Sequence, residues 1–142
     1  MAGTRLDVAS YFKQELSAMG CDCQGRSGIK VIYGLDKRAY FAAFNQELHD
    51  TDIIWTKPSE MSFYTALGLP IIIAPPVGAH EKFNQEWLEH IGSGFLQEDP
   101  RYVDQWLFYV LESGRYAEAA WHGFMNAPGL GTYKIEDALF GA

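Results

Sequence analysis

The run Leu69-Pro70-Ile71-Ile72-Ile73-Ala74-Pro75 constrains this chain more than any other feature. Its apolar residues do not alternate with polar ones, so a strand here must be buried on both faces. Such a strand belongs inside a parallel sheet. Parallel strands need crossover connections, which are usually helices. The rest of the sequence supplies candidates for both.

Asp52-Ile53-Ile54-Trp55-Thr56 reads as the preceding strand, and a short segment near Phe95-Leu96 as the following one. Ile29-Lys30-Val31-Ile32-Tyr33 is a β-branched run and reads as an earlier strand. Helices are expected at 4–19, from Asp36 to about His49, from Pro58 to about Leu67, and at 79–91. Two more are expected from Asp99 to Ser113 and from Arg115 to Asn126. Thr4, Asp36 and Asp99 are placed as caps, and Gly20 and Gly68 as stops. From about residue 127 the tail holds Pro128, Gly129 and Gly131. It reads as irregular, with a short turn at Ile135 to Phe140. Alternating strands and helices with short connections predict an α/β fold: an open, mostly parallel sheet with helices on both faces, in a single domain over 1–142.

The 142 residues, 48% hydrophobic, suffice for one core without disulfides or metals. A net charge of −7 argues against a nucleic-acid partner bound through a broad basic face. No apolar run reaches the roughly 18 residues that a membrane span needs. The opening Met-Ala-Gly-Thr-Arg-Leu-Asp has no signal-peptide core, so a cytoplasmic location is expected. Cys21 and Cys23 are too close for an ordinary disulfide and read as reduced thiols. The histidines and cysteines show no metal-ligand spacing, and no metal or cofactor is expected. Trp106, Phe108, Tyr109, Trp121 and Phe124 read as core, with a partner surface, including that of a homodimer, as the alternative.

In an open α/β sheet, ligands bind outside the carboxyl ends of the strands, against helix N-termini. Two loops qualify. Thr56, Lys57, Ser59 and Glu60 follow the first strand of the central set, where hydroxyls, an ammonium and free N–H groups suit a phosphate. Gly78, His80 and Glu81 follow the strongest strand, with Asn84 one helical turn on. They suit sugar hydroxyls or proton transfer. At the first loop the competing reading is plain helix capping with Lys57 solvated, and at the second it is a solvated turn with an ordinary surface His.

The ordered set Asp52-Ile-Ile-Trp-Thr-Lys57, Gly68-Leu69-Pro70, Ile71-Ile-Ile-Ala-Pro75, Asn84 and Gly92-Ser93-Gly94 resembles the C-terminal domain of the MurG-type glycosyltransferases. The likeness runs from Thr51 to Gln97. It implies a Rossmann-like half of a GT-B fold that binds a nucleotide diphosphate sugar. The Thr56 to Glu60 loop would face the nucleotide and diphosphate, and the Gly78 to Asn84 loop the sugar. The implied reaction transfers a hexose or N-acetylhexosamine to an acceptor hydroxyl. It would need an acceptor domain or subunit not in this sequence, and no catalytic residue is assigned.

The pattern departs from the family at several points, among them the missing opening strand and Gly-rich loop of the donor domain. The segment between Thr56 and Gly68 is shorter, the family's ribose-binding Glu falls on Phe63, and a Gln before the Asn falls on Glu81. Glu60 stands one turn before Phe63. The Phe63 departure and the missing acceptor domain favour an alternative, a non-catalytic interaction module that kept the half-fold, and the high aromatic content fits an assembly surface.

Overall fold

A computed structural model describes residues 3–21, 28–59 and 61–141. The chain forms two compact units, Met1–Thr51 and Asp52–Ala142.

The first unit holds helices α1 (Leu6–Ala18) and α2 (Lys37–Leu48). Asp36 caps α2 as its side chain type requires, accepting the Ala39 N–H at 2.8 Å. Arg5, not Thr4, stands at the α1 cap position, and it makes no side-chain capping bond. The stop at Gly20 is as expected. Gly20 takes a left-handed φ of 74°, and the Gly20 and Cys21 N–H groups return to the Ser17 and Leu16 carbonyls. Cys21 is a free thiol, and Cys23 lies outside the described residues. The strand expected at 29–33 does not form. Tyr33 makes one isolated bridge to Gly3, and the Gly34 N–H donates to the Gly3 carbonyl. β-branched residues favour extended backbone, but a strand needs a continuous neighbour to satisfy its amides. The segment has none among the described residues.

The second unit holds the sheet: β1 (Ile54–Thr56), β2 (Ile71–Ile73) and β3 (Gly94–Leu96), all parallel, in the order β1-β2-β3. Ile54 pairs with Ile71, and Ile71 with Gly94. The apolar run is therefore the central strand, as its composition requires. Ile71 and Ile73 are fully buried and Ile72 nearly so. Successive side chains on a strand point to opposite faces, so both faces of β2 are covered. On the Ile72 face lie Trp106 and Val110 of α5 (Val103–Glu112) and Tyr116 of α6 (Arg115–Asn126). Burying each such side chain stabilises the fold by about 1.5–3 kcal/mol.

The first crossover is α3 (Met61–Ala66), shorter than the expected Pro58–Leu67 because Pro58 and Ser59 remain in the preceding turn. The second is α4 (Ala79–Ile91), with the bounds read from sequence. Helix α6 packs on α3, α4 and α5. The segment from 127 is irregular only as far as residue 130. It carries α7 (Gly131–Phe140), a helix with no buried residue. Of the aromatic residues read as core, only Trp106 is buried. Phe108, Tyr109, Trp121 and Phe124 are exposed. No helix among the described residues is long and apolar enough to cross a membrane.

Candidate functional site

The carboxyl ends of β1 and β2 deliver the two loops singled out by sequence. Thr56 closes β1, and its carbonyl accepts the Ala74 N–H at 2.9 Å, so the ladder runs to the mouth of both loops. Lys57 is exposed. Pro58 is buried, and the Ser59 N–H folds back onto the Lys57 carbonyl at 2.8 Å. Glu60 lies outside the described residues.

Gly78 stands at the N-cap of α4 in extended backbone, φ −130°, so the left-handed freedom of glycine is not used there. What its missing side chain allows is the His80 ring. A Cβ on Gly78 would lie 3.0 Å from the ring's Cε1. His80 itself is exposed. Glu81 turns back and accepts the Val77 N–H at 2.7 Å, which makes it a helix-start residue, and its charge suits the positive end of α4. Gly78 offers no side-chain cap, so the first N–H groups of α4 remain for solvent or a ligand.

Asn84 joins the two loops. Its Nδ2 donates to the Pro58 carbonyl at 2.9 Å and lies 3.4 Å from the Ser59 carbonyl. The sequence grouped Asn84 with His80 and Glu81, but its amide points across to the other loop. A cavity of about 190 Å³ opens beside this bridge, lined by Ser59, Met61, Ser62, Asn84 and Trp87. Ser59 and Asn84, taken from sequence as nucleotide and sugar contacts, thus line one space. Thr56, Lys57, Gly78, His80 and Glu81 do not line it. Trp87 and Ser62 were missed. The signal for Trp87 was its spacing, three residues after Asn84 on the same helix face.

A larger cavity, about 340 Å³, lies beside β3. Arg115, Glu98 and Trp106 are among its lining residues, and no sequence motif marks any of them as a ligand group. Among the described residues no three His, Cys, Asp or Glu side chains are grouped to hold a metal ion. Comparison with family models, with curated proteins and with solved structures finds no match.

Proposed function

We propose that this chain is a donor-binding domain of a glycosyltransferase-like protein, holding a nucleotide diphosphate sugar at the carboxyl ends of β1 and β2. The observation that carries the reading is the Asn84 bridge, which joins the two candidate loops beside a cavity shared by Ser59 and Asn84. The stretch that resembles the MurG-type donor domain coincides with β1-α3-β2-α4-β3. In this reading Thr56, Lys57, Ser59 and Glu60 contact the nucleotide and phosphates. Gly78, His80, Glu81 and Asn84 serve the sugar side, and Trp87 offers an aromatic face. The reaction breaks the bond between the anomeric carbon and the diphosphate oxygen and forms one to an acceptor hydroxyl oxygen. The hydroxyl proton goes to a base on an acceptor domain or subunit. The domain works without a bound metal, in the cytoplasm.

A thermal-shift series with UDP, GDP, dTDP and their sugar conjugates tests this. A ligand that binds only the native state at a hundredfold excess over its Kd adds about 2.7 kcal/mol of stability. The expected result is a selective rise in Tm with one nucleotide, reduced in Ser59→Ala. No rise with any of them sinks the proposal.

A second reading, a non-catalytic interaction module, is favoured by α7. Its Tyr133, Ile135, Leu139 and Phe140 are all at least 63% exposed. Light scattering on the purified chain checks it: a stable dimer supports this reading, and a monomer at high concentration opposes self-assembly.

A further inference from the structure

The cavity beside β3 is framed by packed aromatic side chains. Its floor is apolar: Ile72, Val110 and Trp106. Its walls are pinned. The Trp106 indole donates to the Asp99 carbonyl at 3.0 Å and meets Trp55 edge-on at 5.6 Å. Phe95 meets Tyr116 edge-on at 6.1 Å. The Arg115 guanidinium lies 4.4 Å from the Phe95 ring centroid, a cation–π contact. At about 340 Å³ the cavity falls at the small end of ligand pockets, which run from about 300 to 1,000 Å³.

Charge selects the ligand. Among the described residues three charged side chains line the space, all of them exposed at its rim: Arg115, Glu98 and Glu89. Glu89 accepts from Gln85 Nε2 at 3.3 Å. Arg115 and Glu98 share the cavity, yet neither forms an ion pair among the described residues. A simple anion would satisfy Arg115 but be repelled by two carboxylates. A simple cation would meet the reverse problem at Arg115. A molecule carrying both charges on one carbon, with an apolar group beside them, satisfies all three surfaces at once.

We propose that this cavity binds a free α-amino acid with a large apolar or aromatic side chain. Arg115 takes its carboxylate, Glu98 takes its ammonium, and its side chain lies on Ile72, Val110 and Trp106. This site is separate from the one at Ser59 and Asn84 and does not rest on the glycosyltransferase reading.

Isothermal titration of the full chain with L-phenylalanine and L-leucine tests the proposal, with N-acetyl-L-phenylalanine and L-phenylalaninamide as probes that each lack one charge. The free amino acids should bind, and each derivative should bind weaker by about tenfold or more, the scale of a lost charge-assisted contact. In Arg115→Met the preference for the free acid over the amide should vanish. Arg115→Lys, which keeps the charge, should retain part of it. Glu98→Gln should remove the preference over the N-acetyl compound. Circular dichroism confirms that each variant is folded. No heat with any free amino acid, equal binding of the derivatives, or an unchanged preference in Arg115→Met would overturn the proposal.

Discussion

Asn84 is the residue on which the candidate site depends, and its chemistry is directional. Its amide nitrogen faces two carbonyl oxygens, so only a donor fits there. Asn84→Ala should cost about 1 kcal/mol, the net worth of an ordinary hydrogen bond. Asn84→Asp should cost more at neutral pH, because a carboxylate would face those carbonyls with no proton between them. Protonation restores a donor, so its penalty should shrink as pH falls through the carboxylate range. Urea denaturation of both variants at neutral and acidic pH measures this. Equal losses at both pH values would contradict the donor assignment. Tyr116 gives a second pH signature. Burial raises its pKa above the ordinary 10.0, and the nearby Arg115 charge opposes this only in part. The unfolded chain therefore releases that proton first as pH climbs. The stability present below about pH 10 should decline above it, and Tyr116→Phe should show a shallower alkaline loss. Thermal melts of both proteins between pH 8 and about 11 make the comparison.

At the scale of elements, α6 crosses its neighbours where a side chain is missing. A Cβ on Gly123 would fall 2.6 Å from Ser93 Oγ and 3.1 Å from the Thr65 carbonyl. Both hydroxyls at this crossing, Thr65 Oγ1 and Ser93 Oγ, are buried and lack a protein partner among the described residues. Gly123→Ala gains up to about 1 kcal/mol of helix propensity, but overpacking costs about 1–3 kcal/mol. The overpacking should win, because one of the obstacles is backbone. Ser93→Ala removes an unpaired hydroxyl and should be near neutral. It should also reduce the cost of Gly123→Ala, a coupling that a double-mutant cycle reads directly. Additive losses would contradict the contact.

The elements most legible in the sequence were those closed by local chemistry. The bounds of α4 and α6 follow from Gly78, Gly92 and Gly114 at their ends. The central strand follows from three consecutive isoleucines. Gly92-Ser93-Gly94 was legible as a motif, but its reasons are structural: a left-handed turn at Gly92, a buried Ser93, and a Gly94 whose Cβ would lie 3.0 Å from the Ile71 carbonyl. Ile29 to Tyr33 misled because strand propensity says nothing about whether a partner is present. Helix α7 was hidden because Gly129 and Gly131, which read as breakers, sit at its entrance rather than inside it.

Across the whole molecule, both candidate sites fall in one of the two compact units, Asp52–Ala142, which is built on the three-stranded parallel sheet. The loops at the ends of β1 and β2 were legible because strand ends are where α/β sheets present ligand groups. The cavity beside β3 was not. Glu89, Glu98, Trp106 and Arg115 are scattered in sequence and meet only through packing of the second unit. The roles of Glu81 and Asn84 were half legible: their positions at the start of α4 were clear, but the atoms they bond to were not.

The most direct test of the central claim is an amide-resolved NMR titration of the ¹⁵N-labelled chain with UDP, GDP and dTDP sugars. If the donor lies at the ends of β1 and β2, shifts should concentrate at residues 56–59 and 77–87. Amides around Arg115 should stay still. Saturating nucleotide sugar that moves no amide in those two segments, or moves only those near β3 and Arg115, would contradict it.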